Sequence, residues 1–230
     1  MSNHTDHKNI FVVVPAFNEN KIIRQVIEQL CGKYQVIVVD DGSEIPVSSQ
    51  LKGLPIYLLR HPVNLGQGAA LQTGIEYALS KNARFIVTFD GDGQHDIADI
   101  DHLLQPLTND EADIMLGSRF ISGAKQNMPA GRKLLLKTAR WMNYSLTGLL
   151  LSDAHNGLRA MNRKAASLIN ITENRMAHAT QLLTEIKKNQ LRYKEMPVTI
   201  HYTAYSKNKG QSAWGSFRIF FDLLLNKIFK

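Results

Sequence analysis

Four short runs, Ile10–Val14 (IFVVV), Gln35–Val39 (QVIVV), Arg84–Phe89 (RFIVTF) and Asp113–Leu116 (DIML), are apolar at most positions. A strand with one face in water alternates polar and apolar residues, whereas one apolar throughout must be covered on both faces. Helical spacing fills the gaps. Lys21–Cys31 puts Ile22, Ile23, Val26, Ile27 and Leu30 on one face, and similar patterns occupy Gly68–Ser80 and Ile97–Leu107, with a short strand at Ile56–Leu59. The alternation predicts an α/β fold with a mostly parallel central sheet and helices on both faces. With 230 residues, 44% of them hydrophobic, the chain can bury such a core.

In sheets of this kind ligands sit beyond the carboxyl ends of the strands. Those ends read PAFNEN (Pro15–Asn20), DDGS (Asp40–Ser43), DGDGQHD (Asp90–Asp96) and GSRF (Gly117–Phe120). Asp90 and Asp92 stand at i and i+2, so in extended backbone both carboxylates face the same way. Mg²⁺ is commonly held by one or two such carboxylates while substrate phosphates and water complete its shell. A plain turn explains the pair equally. Asp40 and Asp41 either cap a turn or accept hydrogen bonds from a base or ribose hydroxyl. Glu19 fits the first turn of a helix capped by Asn18. In NLGQGAALQTG (Asn64–Gly74), Gly66 and Gly68 precede a helix, where backbone N–H groups can hold an anion. No Gly-Lys-Ser/Thr follows, so this is not a Walker A loop.

The net charge of +7 points to anionic partners such as phosphorylated molecules or acidic lipid, and Lys and Arg dominate from Lys125 onward. No nucleic-acid-binding module is recognisable, which removes that class. Cys31 is the single cysteine, so an internal disulfide is excluded and a reducing cytoplasm is expected. The N-terminal MSNHTDHKN is polar, and no apolar run is long enough to span a bilayer. The expectation is a soluble protein that meets membranes only from the surface. Arg132–Leu151 reads as a basic amphipathic helix, followed by SDAHNGLRA (Ser152–Ala160), helices at Arg163–Ile169 and His178–Asn189, and a strand at Leu191–Ile200. In the tail, Phe217, Phe220, Phe221, Leu224 and Ile228 recur at helical spacing, suited to a membrane interface, a core or an oligomer contact.

In this order and spacing, PAFNEN, VVDDGS, RHPVNLGQGAALQTG, FDGDGQHD and GSRF resemble the glycosyltransferase family 2 enzymes. The likeness is strongest to the dolichyl-phosphate mannosyltransferase and polyprenyl-phosphate glycosyltransferase branch, and SDAHNGLRA and VTIHYTAYSKNKGQS extend it to about residue 212. The resemblance implies a GT-A catalytic domain over residues 1–212, with residues 213–230 as a C-terminal amphipathic helix. It implies an inverting transfer from a nucleotide-sugar donor, GDP-mannose or a UDP-hexose, assisted by Mg²⁺ or Mn²⁺. Carried onto this chain, Pro15, Asn18, Glu19 and Asp40 line the nucleoside pocket, with Asp41, Gly66 and Gly68 beside it. Asp90, Asp92 and Gln94 hold the metal. Arg119, Arg132, Lys207 and Lys209 cradle the phosphate of a polyprenyl or dolichyl acceptor. A phosphate monoester ionises a second time near pH 6, so such an acceptor is already a nucleophile at neutrality. If a base is needed, Asp153 is the first candidate and His155 the second. Trp141, Tyr202, Tyr205 and Trp214 are candidates to shape the acceptor groove. The expected setting is the cytoplasmic membrane face, with a small membrane-protein partner or a homo-oligomer as possible company. Two alternatives stand beside this reading: a family 2 enzyme acting on a saccharide hydroxyl, and a non-catalytic nucleotide-sugar-binding subunit.

Overall fold

The computed structural model describes residues 7–126, 140, 144–145, 147–173 and 177–201. A seven-stranded sheet in the order β3-β2-β1-β4-β7-β5-β8 forms its centre. The strands are β1 (Ile10–Ala16), β2 (Gln35–Asp40), β3 (Ile56–Arg60), β4 (Phe85–Thr88), β5 (Ile114–Ser118), β7 (Arg159–Asn162) and β8 (Tyr193–Pro197). Every neighbouring pair is parallel except those made by β7, which runs antiparallel to both β4 and β5. A second sheet pairs β6 (Lys125–Gln126) with β9 (Thr199–Ile200).

The apolar strands are covered on both sides, as their composition requires. From β1, Ile10, Val12, Val14 and Ala16 enter one core with α1 (Ile23–Cys31) and α3 (Ala98–Thr108). Phe11 and Val13 enter the other, against α2 (Gln67–Ser80), α4 (Arg163–Leu168) and α5 (Ala177–Lys188). Helix α2 lies close on β1 at Gly74, where a Cβ would sit 2.2 Å from Val13 Cγ1. Each fully buried Val or Ile in these layers contributes on the order of 1.5–3 kcal/mol.

Four expectations need correction. Helix α1 begins at Ile23, because the Glu19 carbonyl accepts both the Ile22 and Ile23 N–H groups in a preceding turn. The strand expected over Leu191–Ile200 is two strands. Val198 N–H still donates to the Ser118 carbonyl at 3.1 Å, at the end of β5, and the next donor, Thr199 N–H, turns to Asp99 Oδ2 at 2.6 Å, so the chain changes sheets. The helix expected to reach Leu151 has ended by Gly148, whose φ of 69° is left-handed. Strand β7 was hidden at the end of SDAHNGLRA because four residues carry no periodicity. Most of the expected 132–151 helix and all of the 213–230 tail lie outside the described residues, as do Arg132, Trp141, Tyr202, Tyr205, Lys207, Lys209 and Trp214.

Candidate active site

The strand order reverses at β1, between β2 on one side and β4 on the other, which opens a crevice at their carboxyl ends. Pro15 marks its wall. The Val13 carbonyl accepts the Phe89 N–H, so odd-numbered residues of β1 turn their backbone groups toward β4. The β1–β4 register stops at Val13 and Thr88, so the N–H that Pro15 lacks would have had no ladder partner. Asn18 has φ 57° and is not a helix cap. Its N–H donates to Ser43 Oγ at 3.0 Å and its Oδ1 accepts the Glu44 N–H at 3.1 Å, tying the PAFNEN loop to the DDGS loop. Glu19 lies in the same loop, partly exposed.

The two acids of DDGS turn inward. Asp40 is buried, its Oδ1 accepting Ser43 N–H at 2.9 Å and its Oδ2 accepting Val47 N–H at 3.2 Å. Asp41 is 2% exposed and accepts four donors: His61 Nδ1 at 2.7 Å, Asn64 Nδ2 at 3.0 Å, Leu65 N at 3.0 Å and Gly66 N at 2.8 Å. The glycine loop therefore does hold an anion, and that anion is the Asp41 side chain. Gly66, at φ 100°, spends its N–H on that contact. Gly68 is a packing residue, since a Cβ there would lie 2.1 Å from the Glu173 carbonyl oxygen.

Asp90 and Asp92 sit in a turn rather than in extended backbone, because β4 ends at Thr88 and Gly93 takes φ 71°. The i, i+2 rule is thus not what brings them together. Asp90 is oriented through both oxygens: Oδ1 accepts Gln67 Nε2 and Oδ2 accepts His95 Nε2, each at 3.0 Å. Burial would raise its carboxyl, but the hydrogen bond from His95 and the charge of Arg159 outweigh burial and leave it below the usual range. Asp92 is pushed up, first by burial and then by the charge of Asp90. Its Oδ1 accepts the Gln94 N–H at 3.0 Å, and the Gln94 side-chain amide donates to its Oδ2. Gln94 thus holds Asp92 through both its backbone N–H and its side-chain amide. Two hard-oxygen carboxylates that oppose each other's ionisation suit a divalent cation. Among the described residues no group of three or more His, Cys, Asp or Glu is arranged for a metal, so most of the coordination would fall to ligand oxygens and water.

Across the crevice, Arg119 and Asp153 clasp each other. Arg119 Nε donates to Asp153 Oδ2 at 2.5 Å, Nη2 to Oδ1 at 2.7 Å, and the Arg119 N–H to Oδ2 at 3.1 Å. Burial would raise the Asp153 carboxyl, but the hydrogen bonds and charge of Arg119 win and lower it. His155 is lowered, chiefly by burial. Glu195 of β8 accepts the Ser152 and Asp153 N–H groups and fixes this loop. Because β7 is antiparallel, the loop leading into it arrives at the same edge as the loops leaving the parallel strands. Gly157 belongs to that loop, and a Cβ there would sit 2.2 Å from Asp90 Oδ2. Gln67, Gly157, Arg159 and Glu195 were not singled out in the sequence. Three of them stand inside quoted motifs, but no pattern in the chain marks Glu195.

The architecture is that of GT-A sugar-nucleotide transferases. Among solved structures, glucosyl-3-phosphoglycerate synthase from Mycobacterium tuberculosis, crystallised with Mn²⁺, UDP and glucosyl-3-phosphoglycerate, superposes with a TM-score of 0.66 at 18% identity. That match covers 88% of this chain and 75% of the other. The chain belongs to glycosyl transferase family 2, whose model matches residues 11–169, and it is a sugar-transferring enzyme. Within the family it stands in the polyprenyl-phosphate branch. It is 32% identical to the UDP-N-acetylglucosamine–dolichyl-phosphate N-acetylglucosaminyltransferase of Methanococcus voltae, over 97% of this chain and 98% of the relative. An uncharacterized protein of Methanocaldococcus jannaschii is 35% identical over 99% of this chain and 96% of its own length.

Proposed function

We propose that this enzyme transfers a hexose or N-acetylhexosamine from a nucleotide-sugar to the phosphate of a polyprenyl or dolichyl carrier, with inversion at the sugar. The observation that carries the reading is the Asp90–Asp92 pair at the β1–β4 crevice, oriented by Gln67, His95 and Gln94. Asp90 and Asp92 would hold Mg²⁺ or Mn²⁺, whose chemistry is to neutralise the charge gathering on the departing nucleoside diphosphate. Pro15, Asn18 and Glu19 border the nucleoside end of the crevice. Asp40 and Asp41 act behind it, by shaping the loops.

The acceptor phosphate supplies its own nucleophile. Asp153 is occupied by Arg119 and made less basic by it, which supports a reaction without a strong general base. Arg119, whose fork is already matched to a carboxylate, borders the acceptor side, and Arg132, Lys207 and Lys209 remain candidates for gripping the phosphate. We assign residues 1–212 to catalysis and residues 213–230 to contact with the membrane surface or another subunit. No helix among the described residues is long and apolar enough to cross a membrane. Work at the cytoplasmic membrane face, alone or beside a membrane partner, fits the basic second half of the chain.

The test is a panel of UDP- and GDP-sugars with Mn²⁺ or Mg²⁺ and undecaprenyl or dolichyl phosphate, read by the mass of the lipid product. A glycosyl-phosphoryl lipid that Asp153→Asn still forms supports the proposal. A glycosylated saccharide with no lipid product would replace the acceptor, and donor binding without any turnover would reduce the protein to a binding subunit.

A further inference from the structure

The loop leading into β7 and the first residue of that strand carry two buried nitrogen donors that bond nothing among the described residues: Asn156 Nδ2 and Arg159 Nη1. Asn156 is 4% exposed and Arg159 2%. The Asn156 amide cannot simply be turned over, because its Oδ1 accepts the Leu158 N–H at 2.9 Å and a flip would set two donors against each other. Buried donors left without acceptors are rare in folded proteins, and each calls for a partner such as an ordered water, an ion or a ligand. Here two fall within four residues of one segment.

Their position gives the ligand its chemistry. Arg159 is paired in register with Thr88 of β4 and with Leu116 of β5. It therefore lies between the strand end that runs into Asp90 and the one that runs into Arg119. Its electrostatic neighbours are the Asp90 and Asp153 carboxylates, yet neither receives a hydrogen bond from it among the described residues. Asp90 is oriented instead by Gln67 and His95, and Asp153 by Arg119. Both open groups donate and neither accepts, so the missing partner is an oxygen acceptor. A guanidinium that cannot lose its charge favours an anionic one, and phosphate matches its geometry.

We propose that Arg159 and Asn156 form a phosphate-binding pair, gripping a non-bridging oxygen of a ligand lodged between Asp90 and the Arg119–Asp153 clasp. The proposal rests on the functional reading above for the ligands it names. That oxygen belongs either to the donor diphosphate or to the acceptor phosphate, which share this chemistry.

The test is calorimetric titration of the full chain with two probes. One is UDP or GDP with Mn²⁺; the other is undecaprenyl phosphate in detergent micelles. Asn156→Asp keeps the contact to Leu158 N–H and turns the open donor into a repelling oxygen, while Arg159→Lys keeps the charge and loses the fork. Asn156→Asp is expected to weaken one probe at least tenfold and leave the other within twofold, with Arg159→Lys showing a smaller loss of the same probe. Loss confined to the nucleoside diphosphate assigns the oxygen to the donor; loss confined to the lipid assigns it to the acceptor. If both variants bind both probes within twofold of wild type and lose only melting temperature, Arg159 is a structural charge and the proposal falls. Equal loss of both probes also overturns it, since that marks collapse of the crevice rather than one lost contact. Wild-type protein that binds neither probe would overturn the functional reading itself.

Discussion

Asp41→Asn keeps the side-chain volume and turns one carboxylate oxygen into an amide nitrogen. Both oxygens are committed to donors: Oδ1 to His61 Nδ1 and Leu65 N–H, Oδ2 to Asn64 Nδ2 and Gly66 N–H. Turned toward Asn64 Nδ2 and Gly66 N–H, the new NH₂ loses both contacts; turned the other way it loses Leu65 N–H, and His61 keeps its contact only by moving its proton to Nε2, beside Thr73 Oγ1. A hydrogen bond to a buried charged group contributes about 1.5–3 kcal/mol, so losing one or two contacts and weakening the rest by removing the charge gives a gross loss of about 3–6 kcal/mol. A neutral amide costs less to bury than a carboxylate, and that offset brings the expected net loss to about 3 kcal/mol. Against a total stability of roughly 5–15 kcal/mol this is large. At about 2–4 °C per kcal/mol for a chain of this size, the melting temperature should fall by about 6–12 °C. Thermal unfolding followed by circular dichroism measures it, with nucleotide affinity measured in parallel. A fall below about 2 °C together with at least tenfold weaker nucleotide binding would refute the reasoning, because Asp41 would then face the nucleoside instead of the glycine loop.

Asp92→Ala should cut transfer by at least about 100-fold, as expected when one of the two carboxylates proposed to hold the metal is lost, with an unchanged circular dichroism spectrum; wild-type rates in that variant would remove the metal assignment. Gly157→Ala should displace Asp90, since the added Cβ would sit 2.2 Å from its Oδ2. Weakened Mn²⁺ binding in titration is the readout, and unchanged binding would show that Asp90 does not depend on this approach. Asp113, buried between β5 and β8, is held well below the usual carboxylate range by hydrogen bonds from Arg192. A depressed carboxyl stabilises the fold above its unfolded pKa of about 4, and that contribution is lost as pH falls toward the folded value. Between about pH 4 and pH 2 the wild type should therefore lose stability faster than Asp113→Asn; parallel pH–stability curves would contradict it.

Much of the sheet was legible because its strands are covered on both faces, which forces unbroken apolar runs such as IFVVV and QVIVV. Strand β7 was not, since Arg159–Asn162 is too short to show a period and derives its place from pairing with β4 and β5. The edge position of β8 was legible in principle, because a proline inside an expected strand signals an end or an edge. At the site, residue types located the crevice but not the direction of each side chain. Asp40 and Asp41 looked like ligand contacts and are seen to hold loops, partly through backbone N–H groups that leave no trace in the sequence. The Arg119–Asp153 pairing joins residues far apart in the chain and could be read only from the folded structure.

That clasp has a topological companion: the Ser118 and Ser152 hydroxyls meet at 2.5 Å directly beside it. Two neighbouring contacts therefore tie the end of β5 to the loop that Glu195 of β8 also holds. Bringing distant chain ends together costs entropy that grows only slowly with the length between them. Once either contact has formed, the second adds its energy at little further entropic cost, so the two loops should order and loosen as one cooperative unit.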